Sequence, residues 1–202
     1  MTKTVDRPGP GRGERRREQL VAVGVDLLAE GGWPAVTTRA VAERATANVG
    51  LIHYHFGGVG NLHRAIAERA GDLVINPVID ELLEASDEQA ALDTLRGLLP
   101  SSGSTRASRL AVELVVGAMR DSNLGAVMRD QMRQSRAQAA DRLATLRPHW
   151  SASRCAGVAT LVVALLDGLM LHLVLDEDLP TEEALAAIEE LVGDRDDTPV
   201  PS

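Results

Sequence analysis

The chain is predicted to be all-α, and three observations carry that prediction. No segment alternates apolar and polar residues at the period of two that a strand requires, whereas apolar residues recur at helical spacing through most of the 202 residues. The core-forming residues are Leu, Val and Ala, with only four aromatics (Trp33, Tyr54, Phe56 and Trp150), a composition suited to close-packed helices. The periodic runs end at Gly31–Gly32, Gly57–Gly58, Pro77, Pro100, Pro148 and Pro180, and no repeat at a period of about 20–50 residues links them.

Residues 1–13, rich in Gly and Pro and carrying Arg7 and Arg12, are expected to form a disordered basic tail. A first helix begins at Glu14, with Leu20, Gly24, Leu27 and Leu28 at i, i+4, i+7 and i+8. Gly31–Gly32 ends it and Pro34 prevents its continuation. Gly24 in mid-helix predicts the close approach of another backbone. Thr37 or Thr38 caps a second short helix, with Val41 and Ala42 inward and Ala45 closing it. The turn Thr46-Ala47-Asn48 supplies an Asn that tolerates a left-handed conformation and caps the next helix. This third helix, Val49 to Phe56, places Ile52 and Phe56 inward at i, i+4 and turns Val49, Gly50, His53 and Tyr54 outward. Gly57–Gly58 stops it, and Asn61 opens another helix through Leu62, Ile66 and Ala70.

Beyond residue 71 short helical segments are expected near 77–86 and 88–99, then longer amphipathic ones at 105–120 and 123–147. Residues 151–175 are apolar nearly all round, which predicts burial on several sides. Thr181, followed by Glu182 and Glu183, opens a last helix to about residue 193, an acidic placement that the helix dipole favours. Residues 194–202 are expected to be disordered. The predicted organisation is a tail (1–13), a first domain (14–70), a second (71–193) and a tail (194–202).

The formal charge of −8 argues against a polyanion partner until it is divided along the chain. Residues 1–70 carry 10 Lys/Arg against 7 Asp/Glu, whereas residues 71–202 carry 11 against 22. A basic front and an acidic rear suit a protein whose front meets a polyanion. The single cysteine, Cys155, excludes an internal disulfide and reads as a small buried residue. No apolar signal segment opens the sequence, and the apolar run Val158–Leu175 is interrupted by Asp167 and His172. Cytoplasmic localisation is the expectation.

Two short helices across a tight turn are the form in which a helix-turn-helix reads the DNA major groove. Arg12, Arg15, Arg16 and Arg17 supply cations around the start of the first helix. Thr38 and Arg39 stand at a helix N-terminus, where free N–H groups attract phosphate. Gly50 admits a close backbone approach, Tyr54 offers a hydroxyl and a ring, and His53 and His55 offer imidazole donors. His53 and His55 at i, i+2 point apart on a helix, so no metal site is expected from them. No Ser/His/Asp, paired-carboxylate or phosphate-loop pattern is present, so no catalysis and no cofactor are expected.

The run of residues 17–66, with LVAVGVDLLAEGGW, TTRAVAERA, a three-residue turn, GLIHYHF and NLHRAI, resembles the TetR family of one-component transcriptional regulators. The resemblance implies an N-terminal three-helix helix-turn-helix DNA-binding domain followed by a C-terminal helical domain that binds ligand and dimerises. It makes Thr46–Asn48 the turn and Val49–His55 the recognition helix. By it Thr38, Tyr54 and His55 correspond to positions that touch phosphate or bases, and Val49, Gly50 and His53 to base-proximal ones; Arg39, Asn48 and Leu51 complete the expected DNA-contact set. Val59 stands where relatives commonly carry a phosphate-binding Lys, and the turn reads Thr-Ala-Asn where Gly-Val-Ser is more usual.

TLVVALLDGLMLHLVLD, an acidic-Pro turn and EEALAAIEEL are similar to the two helices through which relatives dimerise. Leu161, Leu165, Leu169, His172, Leu185 and Ile188 are the expected interface. Arg109, Glu113, Met128, Trp150 and Asp167 are candidates to line an effector pocket, with the methionines as adaptable lining. The implied function is a homodimeric, DNA-binding regulator, a repressor released from a near-palindromic operator by a small molecule. A second reading is a helical ligand-binding or interaction protein with weak or lost DNA binding, which Val59 and the modest basic excess of the front half motivate.

Overall fold

The computed structural model describes residues 11–86, 90, 93–94, 96–97, 106–176 and 178–193. No strand occurs among them. In chain order the helices are α1 (Arg12–Ala35), α2 (Thr38–Arg44), α3 (Val49–Phe56), α4 (Val59–Glu84), α5 (Arg106–Arg120), α6 (Ser122–Leu146), α7 (Ala152–Leu175) and α8 (Thr181–Gly193). The expected segment 88–99 and the far tails lie largely outside the described residues.

The chain forms two compact units. One runs through Leu73 and includes Leu110–Asp130; the other comprises Val74–Arg109 and the chain from Gln131 onward. The first unit is closed by Leu20, Val25, Leu28, Val36, Val41, Ile52, Leu62 and Ile66, all essentially inaccessible. Leu110, Leu114, Leu124 and Val127 are buried as well, so residues far along the chain join the same unit as the front helices. In the second unit Leu185 on α8 is buried against Leu166, Leu169, Met170 and Leu173 of α7.

The local chemistry explains most boundaries. α1 begins at Arg12, earlier than the sequence suggested, and takes in two residues expected in the tail. It breaks at Gly32, whose φ of 66° and ψ of −173° no helix admits, before one further turn carrying Pro34. A side chain at Gly24 would collide with the Ile66 side chain; a packed side chain, rather than a backbone, explains that glycine. Thr37 is the cap of α2, accepting a hydrogen bond from Ala40 N at 3.1 Å, and such a cap contributes about 1 kcal/mol.

α4 differs most from expectation. It starts at Val59, not Asn61, and continues through Pro77 to Glu84 as one helix. A proline removes one backbone donor and crowds the preceding turn, but here it does not end the element. α7 also departs from its expected burial: Cys155, Ala159 and Val163 are its buried residues, while Leu161 (71% exposed), Leu165, Leu171 and Leu175 face outward in the single chain. By length and composition α7 is apolar enough to cross a membrane, with Asp167 in its middle.

Candidate nucleic-acid interface

The helix-turn-helix is built from α2, the turn and α3. Ala45 and Ala42 are buried beneath the turn, and Ala47 N donates to Ala42 O at 2.8 Å. The left-handed residue is Thr46, with φ of 49°; Asn48 is extended (φ −83°, ψ 140°) and acts as the N-cap of α3. The expectation that Asn48 would carry both roles is corrected in this respect. Its side chain accepts from Gly50 N at 2.8 Å.

A contact not anticipated from sequence holds the turn. The Arg16 guanidinium on α1 donates to the carbonyls of Ala45 and Thr46, each at 3.1 Å. It thereby satisfies acceptors that the end of α2 leaves open. Arg17 lies over the Phe56 ring, 5.2 Å from its centroid, a cation–π contact that braces α3. Two of the four arginines expected to grip phosphate are therefore engaged within the protein, and Arg12 and Arg15 are the exposed pair. A cation ahead of the motif has the same sequence signature in either use, so no signal distinguished them.

α3 has two unlike faces. Ile52 and Phe56 are buried, and Gly57, with φ of 71°, closes the helix with its N–H on His53 O. Val49, Gly50, His53 and Tyr54 are exposed, and Leu51 and His55 are half-buried. Tyr54 is 82% exposed and meets the His55 ring edge-on at 5.0 Å between centroids. On α2, Arg39 is exposed and Thr38 half-buried. No Lys or Arg occurs between Arg44 and Arg64, so the exposed face of α3 offers hydroxyl, imidazole and backbone groups instead of fixed charge. Val59, at the first position of α4, is exposed.

The C-terminal end of α1 is anchored on α5. Trp33 Nε1 donates to Glu113 O at 2.7 Å, and Trp33 N donates to the Glu113 carboxylate at 3.2 Å. A Cβ at Gly32 would sit 2.7 to 2.8 Å from that carboxylate, so both φ and space demand glycine there. His63 Nε2 lies 2.7 Å from Val36 O, and its ring packs 5.1 Å from that of Trp33. Glu113, a candidate for the effector pocket, is thus occupied with supporting the reading domain.

Of the other pocket candidates, Met128 belongs to the first unit, and Arg109, Trp150 and Asp167 to the second. Trp150 is covered by Arg154, whose guanidinium carbon lies 4.2 Å from the ring centroid. Asp167 stands at the surface of the single chain, yet the surrounding protein pushes its carboxyl above the usual range, with Arg136 pulling it back. Among the interface candidates, Leu161, Leu165 and His172 are exposed and Leu169 is half-buried. Leu185 is only 1% exposed within its own chain and so offers no surface to a second copy. The Ile188 side chain lies outside the described residues.

Comparison with known proteins agrees with this geometry. Residues 20–62 match the model of bacterial regulatory proteins of the tetR family. Residues 87–195 match the model of the C-terminal part of BetI-type transcriptional repressors. No curated protein matches the chain. Among solved structures, the transcriptional regulator SCO7518 from Streptomyces coelicolor A3(2) is 30% identical, with a TM-score of 0.72 over 87% of this chain and 97% of that one. The multidrug binding protein EbrR, complexed with imidazole, is 24% identical with a TM-score of 0.65 over 93% and 97%. A regulator from Saccharomonospora viridis, in complex with choline, is 17% identical with a TM-score of 0.65 over 89% and 96%. With both parts of the chain matched in order and the reading helix capped, anchored and exposed as described, the chain belongs to the TetR family of transcriptional regulators, whose members are non-enzymatic DNA-binding proteins.

Proposed function

We propose that this protein is a cytoplasmic, homodimeric repressor that occupies a near-palindromic operator and is released from it by a small-molecule effector. The observation that carries the reading is α3: a capped helix with its apolar side sealed by Ile52 and Phe56 and Tyr54, His53, Val49 and Gly50 displayed outward. Nothing within its own unit requires Tyr54 to be exposed, whereas a major groove about 12 Å wide accommodates such a helix. Thr38, Arg39, Asn48, Leu51 and His55 flank the same face, with Thr38 and Arg39 at the α2 N-terminus suited to phosphate.

Dimerisation is supported by α7. Leu161, Leu165, Leu171 and Leu175 are exposed in the single chain, and an apolar helix face of this kind is stable in water when a symmetry mate covers it. Two reading helices about 34–36 Å apart would then enter successive major grooves. An effector bound in the second unit would favour a dimer with a different spacing, and a coupling of about 1–3 kcal/mol weakens operator binding some 5–150-fold.

The test is a fluorescence-anisotropy titration of the full chain with an operator duplex and a scrambled duplex at several salt concentrations. A steep salt dependence together with a large preference for the operator is expected. Equal affinity for both duplexes would sink the repressor reading and favour a protein that has left DNA work.

A further inference from the structure

The second unit is almost devoid of aromatic rings. Of the chain's four aromatic side chains, Trp33, Tyr54 and Phe56 belong to the first unit and Trp150 alone to the second. The face of Trp150 is already taken by Arg154. Quaternary ammonium ligands are recognised by cation–π contact with a cage of ring faces, and a second copy of this chain adds only another Trp150. The choline bound by the S. viridis regulator therefore has no counterpart cage here.

What the second unit does hold is an arginine on an inner face. Along α6, Met132, Ala139, Leu143 and Leu146, together with the polar Gln131, Ser135, Arg136 and Arg142, are buried or half-buried, while Arg133, Gln134, Gln138, Asp141 and Thr145 are exposed. Arg142 thus stands on an inward side that mixes polar and apolar side chains, with Leu143 and Leu146 next to it along the helix. One of its terminal nitrogens donates to Ala85 O at 2.7 Å, just past the end of α4. Its Nε is shielded from solvent and meets no acceptor. Among the described residues no carboxylate comes within ion-pair distance of it. A guanidinium is permanently charged and presents paired N–H groups that fit a carboxylate two oxygens at a time. A half-buried cation with one N–H shielded from solvent and unmatched is costly unless an anion reaches it.

We propose that the effector is a small organic anion, a carboxylate on an apolar body, whose charge is met by Arg142 and whose body lies against the neighbouring Leu143 and Leu146 of α6. Quaternary ammonium compounds are not its ligands. This assignment rests on the effector-release reading given above and names the chemistry of that site.

The experiment uses the full chain and matched probes: hexanoate and benzoate, hexyltrimethylammonium and phenyltrimethylammonium, hexanol and benzyl alcohol. Thermal midpoints and calorimetric affinities are measured for the native protein, Arg142→Gln and Arg142→Lys. At least one carboxylate is expected to bind more tightly than both its cationic and its neutral counterpart. Arg142→Gln is expected to weaken that binding about tenfold or more, with partial recovery in Arg142→Lys. Should Arg142→Gln fail to fold, the ranking of the matched probes on the native protein decides alone. A cation or an alcohol that binds as well as the carboxylate, equal carboxylate binding by Arg142→Gln, or no binding by any probe overturns the proposal. Anisotropy with operator DNA separates the two claims. Release by a trimethylammonium probe keeps the effector reading and removes the anion site, whereas Arg142-dependent carboxylate binding without release keeps the site and removes the effector reading.

Discussion

Tyr54 is 82% exposed, and its ring meets only His55 edge-on among the aromatic contacts described, so its removal separates reading from folding. Tyr54→Ala is expected to weaken operator binding about tenfold while the unfolding free energy stays within about 0.5 kcal/mol; an unchanged gel shift would refute the role given to it. Gly32 is the opposite case, a residue with no DNA role and a strict backbone demand. With φ of 66° and the Glu113 carboxylate where a Cβ would go, Gly32→Ala is expected to cost about 1–3 kcal/mol in urea unfolding. A midpoint equal to that of the native chain would contradict the Trp33–Glu113 anchor. Asp167 supplies the pH dependence. Its carboxyl is raised by partial loss of surrounding solvent, with Arg136 opposing, so the charged form is disfavoured in the folded state. That penalty is present at pH 7 and is relieved as pH falls through the raised value toward the ordinary one. Asp167→Asn should therefore raise the thermal midpoint at pH 7, by a margin that shrinks toward pH 4; a lower midpoint at pH 7 would show that Arg136, not the loss of solvent, dominates.

At the scale of the elements, α2, the turn and α3 were legible because their signals are local. Thr37, Asn48 and Gly57 are punctuation that acts within a few residues, and the Ile52–Phe56 spacing alone fixes which side of α3 is sealed. α4 was misread at both ends, since Pro77 is an ordinary helix breaker in sequence and only tertiary context carries α4 past it. The Trp33–Glu113 contact joins residues 80 apart, and no local pattern announces such a pairing. The internal role of Arg16 was not foreseen for a related reason: its partners, Ala45 O and Thr46 O, are main-chain acceptors without a sequence signature. The two uses of arginine can be told apart. Replacing Arg12 or Arg15 with Ala should lower the slope of log affinity against log salt by about one unit each if they touch phosphate. Arg16→Ala should instead destabilise the fold by about 1 kcal/mol and leave that slope nearly unchanged; a slope loss without a stability loss would reverse the assignment. Val59→Lys, at the exposed start of α4, should restore a phosphate contact and steepen the slope by about one unit.

For the whole molecule, the charge division foretold a front that differs from the rear, but the boundary between compact units is not a point in the chain. Residues 110–130 join the front unit, so a fragment ending near residue 70 would lack Leu114, Leu124 and the Glu113 anchor. The apolar α7 was read from sequence as covered on several sides and as part of the dimer seam; the exposure of its leucines in the single chain is what the dimer reading uses. Leu161→Asp with Leu165→Asp should yield a monomer in sedimentation, with operator affinity falling along with dimer. Repression of this kind requires paired reading helices acting on one duplex, and selection of bound fragments from a random DNA pool by the purified full chain tests that directly. The expected outcome is an inverted repeat whose half-sites lie about 34–36 Å apart or a multiple of that, lost in Tyr54→Ala. Recovery of no enriched sequence, or of a single half-site with no symmetry, would contradict it.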